Sequence, residues 1–319
     1  MATKDSVLNL LLSADGEISG SDIAKALNIS RNAVWKAIHA LKDDGWEIAA
    51  ATNRGYRLVC EGLCETTVRQ YLKTEHFGTV ITVLKSVDST NNYLKMHPEL
   101  PDGTVVAARG QTGGRGRRGR NFSSPMDKGI YFSLCYRPKL SGEEFDPGTV
   151  TTAAAIAVCH AIERLTPLKA GIKWVNDIFV CGKKCCGILT EGIFDLETAQ
   201  VDRVIIGIGV NVGRMLFPKE IADIATSLQN ETDGEISRPR LLAEISNELE
   251  PLLQNPNKAA LIKEAGRRSV ILGKKVLVKR ADGDFEATAL KLDECGHLLV
   301  QKGDEILTLS SGEVSIKNL

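Results

Sequence analysis

The chain has 319 residues, and its 40 basic and 40 acidic side chains give a formal net charge of zero. This length predicts two or three domains, and the neutral balance means that any nucleic-acid binding depends on a local patch of charge. Charged residues near the N-terminus and the lack of a long apolar run argue against a signal peptide and a membrane span. Eight cysteines without an export signal predict a cytoplasmic protein.

Residues 1–63 predict three helices followed by a β-hairpin. Ser30 is placed to cap the third helix, in which the apolar residues Val34, Ile38 and Leu41 recur at helical spacing. Residues 47–59 then alternate around an Asn-Arg-Gly turn, as the wing of a winged helix-turn-helix does. The segment therefore predicts a DNA-binding domain of that class.

The exposed face of the third helix and the wing tip provide the expected DNA contacts. These are Ser30, Arg31, Asn32, Lys36, His39 and Arg54. An alternative remains open, in which the three helices form an interaction module that never touches DNA, because acidic residues balance the basic ones in this segment.

Residues 64–269 alternate strand-like runs with helical stretches, which predicts a mixed sheet backed by helices. Strands are expected at 80–87, 104–108, 130–136, 171–174, 178–180, 187–192 and 204–209, and helices at 149–165 and 240–253. Residues 270–319 consist of short runs in which apolar and polar residues alternate, separated by turns that contain glycine. This pattern predicts a small β-barrel.

The most distinctive segment is the Gly-Arg loop, residues 110–120, which reads GQTGGRGRRGR and lies between two predicted strands. Glycines allow backbone N–H groups to approach an anion, and guanidinium groups bind carboxylate and phosphate in pairs of hydrogen bonds. The segment lacks the Lys-Ser/Thr of a Walker loop and the helix that follows a dinucleotide fingerprint. Composition alone also allows a solvated charge run or a disordered Arg-Gly tract.

Five motifs occur in the order found in biotin–protein ligases, and the chain resembles that family. The motifs are Asp88-Ser89-Thr90-Asn91, the run QTGGRGRRGRNFSSP from Gln111, Lys173-Trp174-Val175-Asn176-Asp177, Lys184-Cys185-Cys186-Gly187-Ile188-Leu189 and Gly207-Ile208-Gly209-Val210-Asn211. With the N-terminal pattern, the resemblance is to the bifunctional bacterial form, ligase and repressor in one chain. It implies an α+β multidomain fold: an N-terminal winged helix-turn-helix, a central mixed-sheet domain of the class II synthetase/biotin ligase type and a C-terminal SH3-like barrel.

The resemblance also implies the activity and the partners. The chain is expected to use ATP and Mg²⁺ to form biotinoyl-5'-AMP and to transfer biotin to a lysine of a biotin carboxyl carrier protein. It is further expected to bind operator DNA and repress biotin synthesis or uptake genes, as a homodimer when the adenylate is bound.

Site residues follow from the same motifs. The expected catalytic residues are Lys184, Arg115, Arg117 and Asp177, where Asp177 receives a proton from the acceptor lysine. The biotin site is expected to comprise Ser89, Thr90, Asn91, Gln111, Arg115, Gly116, Arg117 and Lys184. The nucleotide site is expected to comprise Arg118, Arg120, Phe122, Asn176 and Asn211, with Asn176 and Asp177 orienting the nucleotide or its Mg²⁺. Lys183 could exchange roles with Lys184, which is placed just before the predicted 187–192 strand.

The chain departs from the family pattern without losing a charged group. Val175 replaces proline, Phe122 replaces tryptophan and Gly113 replaces alanine, which should loosen the loop. Cys185 and Cys186 replace small or aliphatic residues. Cys60, Cys64, Cys181, Cys185 and Cys186 have a spacing that disfavours zinc, so buried free thiols are expected.

Three functions compete on these observations. The first is a ligase that is also a repressor, the second is a ligase with an N-terminal interaction module, and the third is a sensor of biotin without catalysis. A lipoate ligase would share the activation chemistry, but the Gly-Arg loop favours biotin.

Overall fold

The computed structural model describes residues 3–14, 16–51, 54–138, 146–195, 200–280, 283–310 and 312–316. Contacts divide the chain into two compact units, Met1–Tyr71 with Ser237–Arg240, and Leu72–Ile236 with Leu241–Leu319. In the described ranges, no helix is long and apolar enough to cross a membrane. The domain limits at residues 63 and 269 stay predictions.

The first unit contains the predicted three helices and hairpin. Its elements are α1 (Thr3–Ser13), α2 (Gly20–Leu27), α3 (Arg31–Asp43), β1 (Glu47–Ala51), β2 (Gly55–Cys60) and α4 (Glu65–Tyr71). The Ser30 hydroxyl accepts the N–H of Ala33 at 3.1 Å, as an N-cap does. Asn28 ends α2 with a positive φ of 52°, which turns the chain between the two helices.

Apolar residues at helical spacing close the core of this unit. Val34, Ile38 and Leu41 of α3 are buried together with Val7 of α1 and Ile23 of α2. The hairpin pairs β1 and β2 antiparallel. The winged helix-turn-helix prediction is therefore confirmed as a fold, although Asn53 of the wing turn lies outside the described residues.

The second unit is built on a seven-stranded sheet in the order β3-β4-β5-β9-β8-β7-β6. The strands are β3 (Ile81–Leu84), β4 (Val105–Ala108), β5 (Gly129–Tyr136), β6 (Ala170–Lys173), β7 (Asp177–Val180), β8 (Lys183–Phe194) and β9 (Val201–Asn211). Only β3 and β4 pair parallel among them. The mixed sheet is confirmed, with all seven predicted strands present.

The helices of this unit are α5 (Thr90–Met96), α6 (Pro147–Leu165), α8 (Lys258–Arg268) and, from Leu241 onward, α7 (Arg238–Gln254). The apolar α6 packs against β6 and β8. Helices α5 and α8 lie outside the predicted helical stretches. The seven residues of α5 are too few for a periodic pattern, and only its cap at Ser89 marks its start.

A second sheet of this unit is antiparallel, in the order β13-β12-β11-β10-β14. Its strands are β10 (Lys275–Lys279), β11 (Phe285–Leu292), β12 (Leu298–Lys302), β13 (Glu305–Leu309) and β14 (Glu313–Ile316). The sheet is compatible with the predicted SH3-like barrel but is not closed by strand pairing among the described residues. Trp174 joins its core, and the indole N–H donates to the Gly296 carbonyl at 3.0 Å.

Candidate active site and DNA-binding face

A cavity opens where the Gly-Arg loop, α5 and the central strands meet. Most of the residues predicted for the ligase site line this cavity: Ser89, Thr90, Asn91, Gln111, Arg115, Gly116, Arg117, Arg118, Arg120, Phe122, Asn176, Asp177 and Lys184. Five separate sequence motifs therefore contribute to one concave surface. A cavity with convergent polar groups is the usual form of a small-molecule site.

Lys184 and Asp177 form an ion pair at the cavity wall, with Nζ and Oδ1 2.6 Å apart. Both side chains keep some exposure, 33% for Lys184 and 20% for Asp177. The placement of Lys184 before its strand was wrong, because β8 begins at Lys183 and Lys184 pairs with Phe179 of β7.

The Lys184 backbone is held on a second side as well. Its N–H donates to the Ile224 carbonyl and its carbonyl accepts the N–H of Thr226, each at 2.9 Å. Neighbouring Lys183 points elsewhere, and its ammonium donates to the Ala222 carbonyl at 3.1 Å. Of the two lysines, only Lys184 lines the cavity.

The Gly-Arg loop joins adjacent antiparallel strands β4 and β5 and folds into a tight turn. Arg117–Gly119 form one 3₁₀ turn, in which Arg118 has a positive φ of 57°. The Gly116 N–H donates to the Arg120 carbonyl at 2.7 Å, which closes the turn.

Arg117 is partly buried, whereas Arg115, Arg118 and Arg120 of the same loop are exposed to solvent. Burial lowers the pKa of Arg117, and the charge of Arg118 adds to that effect. One Arg117 nitrogen donates to Asn176 Oδ1 at 3.2 Å. A cation that has lost part of its hydration has a stronger attraction for an incoming anion.

The C-terminal sheet adds residues that sequence analysis missed. Gly312, Glu313 and Val314 line the cavity, and Glu313 forms an ion pair with Arg120. Lys279 also lies 3.8 Å from Glu313. No local signal in the sequence marks this acidic residue as part of the site.

Lys173 is a second missed residue, although it belongs to one of the five motifs. It lines the cavity, and burial lowers its pKa. Asp177 opposes this shift, whereas Lys184 adds to it. The site thus contains two lysines that share one carboxylate neighbour.

Buried polar side chains form the wall under α5. The Thr90 N–H donates to Gln111 Oε1 at 2.9 Å, and Gln111 Nε2 donates to Ser124 Oγ at 2.9 Å. Ser133 of β5, fully buried beneath Thr90, was also missed. Each of these groups has a protein partner, as buried polar groups require.

Paired glycines make room for the aromatic side chain of the loop. Gly187 of β8 lies opposite Gly209 of β9, and the Phe122 ring packs over both. A Cβ atom at Gly209 would lie 2.6 Å from the ring. The Phe122 ring therefore fits over the sheet only because Gly187 and Gly209 have no side chains.

Asn211 does not line this cavity. Its Nδ2 donates to the Thr226 carbonyl at 3.1 Å, and its side chain is buried. Thr226 in turn pairs with Lys184, so Asn211 supports the segment beside the lysine. Direct nucleotide contact by Asn211 stays a prediction.

The cysteines with described side chains include four that are buried, Cys135, Cys159, Cys185 and Cys186. Burial raises the pKa of each thiol, to about 12 for Cys159. Within the described ranges, Asp293, Cys295 and His297 are the one group with ligand atoms close enough to hold a metal ion. None of the cysteines weighed for zinc belongs to that group.

The first unit presents the predicted polar face on α3. Arg31, Asn32, Lys36 and His39 are exposed, as is Arg54 of the wing turn. Trp35 is 50% exposed on the same helix and lies with its ring 3.9 Å from that of His39. An exposed tryptophan on this helix was missed as a contact candidate.

These features define a ligase that carries a DNA-binding module. Three family models match in chain order: an HTH domain at residues 3–57, the biotin/lipoate A/B protein ligase family at residues 83–211 and a biotin protein ligase C-terminal domain at residues 271–317.

The chain is 35% identical to the bifunctional ligase/repressor BirA of Bacillus subtilis (strain 168) over 94% of each chain. It is 27% identical to the bifunctional ligase/repressor BirA of Escherichia coli (strain K12) over 97% of this chain and 96% of that one. Among solved structures, a biotin protein ligase from Aquifex aeolicus in complex with biotin and ATP matches with a TM-score of 0.64 and 30% identity, covering 75% of this chain and 99% of that one. The chain therefore belongs to the bifunctional ligase/repressor branch of the biotin protein ligases.

Proposed function

We propose that the protein uses ATP to convert biotin to biotinoyl-5'-AMP and transfers the biotinyl group to a lysine of a biotin carboxyl carrier protein. The observation that carries this proposal is the Lys184–Asp177 pair at 2.6 Å, set in the wall of the cavity beside the Gly-Arg loop. A cation held beside a carboxylate can serve both a reaction of anions and a later proton transfer.

The first step brings two anions together, the biotin carboxylate and the α-phosphate of ATP. Arg115 and Arg117 line the cavity. In this proposal their guanidinium groups, with the backbone N–H groups around Gly116, neutralise both anions. The carboxylate oxygen attacks the α-phosphorus, and pyrophosphate leaves. Lys184 Nζ stabilises the charge that develops on the phosphoryl oxygens, because a donor already held in place does not have to reorganise as that charge forms.

The nucleotide is held by Phe122, Arg118, Arg120 and Asn176 in this proposal. The amide and carboxylate oxygens of Asn176 and Asp177 are the donor types that Mg²⁺ prefers, so these two residues would hold the ion. The ion would neutralise part of the phosphate charge. Asn211 acts indirectly, by holding the Thr226 segment beside Lys184.

In the second step the acceptor lysine attacks the acyl carbon of the adenylate, and AMP leaves. In this proposal Asp177 takes the proton of the acceptor amine. Because Asp177 is paired with Lys184, the acceptor amine and Lys184 compete for one carboxylate.

Biotin is preferred to lipoate as the substrate because of the polar wall formed by Ser89, Thr90, Asn91 and Gln111. A ureido ring needs placed donors and acceptors, whereas a dithiolane ring offers no N–H group. The family model itself spans both biotin and lipoate ligases, so the choice between them requires a direct test.

The test mixes the purified protein with biotin, MgATP and an apo carrier domain and follows the acceptor by intact-mass spectrometry, with lipoate in parallel. The expected result is an ATP-dependent mass gain of one biotinyl group. No gain with either acid would leave a sensor without catalysis, and a gain with lipoate alone would reverse the substrate assignment.

The second activity is repression through operator DNA. The exposed cationic face of α3 and the exposed Arg54 suit phosphate and base-edge contacts. We infer that the adenylate, by ordering the Gly-Arg loop, favours a homodimer that reads two half-sites. Sedimentation with and without biotin and ATP tests this, and an unchanged mass would contradict it. A cytoplasmic location stays a prediction.

A further inference from the structure

Glu191 lies outside the five motifs, yet its carboxylate contacts the wall of the cavity. Asn91 Nδ2 donates to Glu191 Oε2 at 2.8 Å, and Lys95 Nζ lies 2.6 Å from Glu191 Oε1. Asn91 is buried and its amide also donates to the Leu189 carbonyl at 3.3 Å. The two oxygens of Glu191 therefore have different partners, one an amide and the other an ammonium.

This arrangement fixes which way the Asn91 amide faces. A carboxylate and a carbonyl accept hydrogen bonds and cannot donate, so the NH₂ group of Asn91 must face Glu191 and Leu189. The amide oxygen Oδ1 then faces Ser133, whose Oγ lies 2.5 Å away. The close approach of Asn91 to β9 depends on Gly207, where a Cβ would lie 2.1 Å from Oδ1.

The direction of the next hydrogen bonds follows from that amide. The short contact between Ser133 Oγ and Asn91 Oδ1 requires a proton between the two oxygens. The amide oxygen carries none, so the single hydroxyl proton of Ser133 is donated to Asn91 Oδ1. Ser133 Oγ also lies 2.7 Å from Thr90 Oγ1. Gln111 Oε1 is a second acceptor near Thr90 Oγ1, at 3.3 Å, and it already accepts the Thr90 N–H. Since the proton of Ser133 is already used, the shorter contact between the two hydroxyls requires Thr90 to donate to Ser133.

The hydroxyl of Thr90 thereby points its proton into the protein and presents lone pairs to the cavity that it lines. An acceptor at that position suits a ligand with an N–H donor. A ureido ring has two such groups, and the dithiolane of lipoate has none.

We propose that Glu191 is a positioning residue that, through Asn91 and Ser133, makes Thr90 an acceptor for a ureido N–H and so contributes to the choice of biotin over ligands without that donor. The inference rests on the proposed biotin ligase function. Lys95 supplies the opposite charge for Glu191 but does not determine the direction of the hydrogen bonds from Asn91 to Thr90.

The test is a cycle of variants in the full-length protein, Glu191→Gln, Lys95→Met and both together. In Glu191→Gln, the Lys95 ammonium takes the new amide oxygen and leaves the NH₂ group facing Asn91. Asn91 then either loses its hydrogen bond to position 191 or rotates its amide at the expense of the hydrogen bond to the Leu189 carbonyl, and rotation reverses the donors as far as Thr90. We expect the Kd for biotin by calorimetry to rise about 10- to 100-fold. Ser133 then donates to Thr90, and the Thr90 proton is divided between Gln111 Oε1 at 3.3 Å and the side of the cavity where the ligand's N–H lies.

Lys95→Met keeps Glu191 and the direction of the hydrogen bonds from Glu191 to Thr90. Its Kd for biotin is therefore expected within about twofold of that of the original protein, the usual range for changes at a partly exposed ion pair. In the double variant no ammonium binds the oxygen of the introduced amide, so the amide can rotate and its oxygen can accept the hydrogen bond from Asn91. We therefore expect the second substitution to restore most of the lost affinity.

Restored affinity in the double variant would show that the direction of the hydrogen bonds matters. If Glu191→Gln merely loosened the packing, adding Lys95→Met would weaken biotin binding further. An unchanged Kd in Glu191→Gln, or a double variant as weak as the single one, would overturn the inference. The KM for ATP should remain unchanged in all three. If the original protein does not bind biotin at all, the proposed function fails instead, and that result is seen before any variant is made.

Discussion

The Lys184 ammonium and the Asp177 carboxylate lie 2.6 Å apart on the adjacent antiparallel strands β7 and β8. Asp177 is the first residue of β7 and Lys184 the second of β8, and the pairing shifts by a residue between Ile178 and Phe179. This irregularity in register brings the two charged side chains to the same side of the cavity.

Lys184→Ala is expected to lower the rate of adenylate formation by about 10²–10³-fold, as loss of a donor to a developing oxyanion does. The matched control is Lys183→Ala, whose ammonium donates to the Ala222 carbonyl outside the cavity. Pyrophosphate release measures the step. Equal rates in the two variants would contradict the assignment of Lys184.

Asp177→Asn separates the two steps of the reaction. The amide keeps the shape of the side chain but cannot take a proton, so adenylate should still form while transfer to the acceptor stalls. Pyrophosphate release and the mass of the acceptor protein, measured on the same samples, distinguish the steps. Loss of both in equal degree would show that Asp177 serves mainly to hold Lys184 or the nucleotide.

Gly113 and Gly114 offer a matched pair inside the loop. A Cβ at Gly113 would lie 3.4 Å from the Asp88 carbonyl, an ordinary contact, whereas one at Gly114 would lie 2.4 Å from the Phe122 carbonyl. Gly113→Ala is expected to stabilise the protein by about 0.4–1 kcal/mol, because it restricts the unfolded chain.

Gly114→Ala is expected to destabilise the same protein by about 1–3 kcal/mol and to raise the KM for biotin, since the loop must move. Denaturant unfolding compares the free energies of the two variants. The opposite order of stability would show that the loop does not adopt this turn.

Arg31→Ala with Lys36→Ala is expected to weaken binding to the promoter of the protein's own operon and to reduce the salt dependence of that binding, because two phosphate or base contacts are lost. Lys42→Ala, in the last turn of α3, is the control. Gel-shift titration at two salt concentrations measures both effects. Equal binding of all forms at low salt would favour an interaction module.

Thiol labelling should follow burial. Cys295 and Cys181 are exposed and are expected to react with maleimide in the folded protein, whereas Cys159, Cys185 and Cys186 should react only after unfolding. Burial and then Glu231 raise the pKa of the Cys181 thiol, so its thiolate forms at higher pH and its labelling should accelerate as the pH rises. Peptide mass spectrometry of labelled samples checks both points.

Much of this protein is determined locally, and the sequence therefore predicts it. Ser30 and the apolar spacing of α3 specify a capped helix with one buried face, and the glycines and arginines of residues 110–120 predict a loop that binds anions. Five motifs in family order identify the site residues as a group. These are properties of short segments, set by backbone preference and side-chain chemistry.

Tertiary structure decided which of these groups meet. Arg120 pairs with Glu313, which is 193 residues away, and Asn91 with Glu191, which is 100 residues away. No local pattern marks either acid, because each takes its role from strand pairing and sheet packing. The same holds for Lys184 and Lys183, which are equal in sequence and differ only because strand pairing with β7 and the 224–226 segment turn one of them into the cavity.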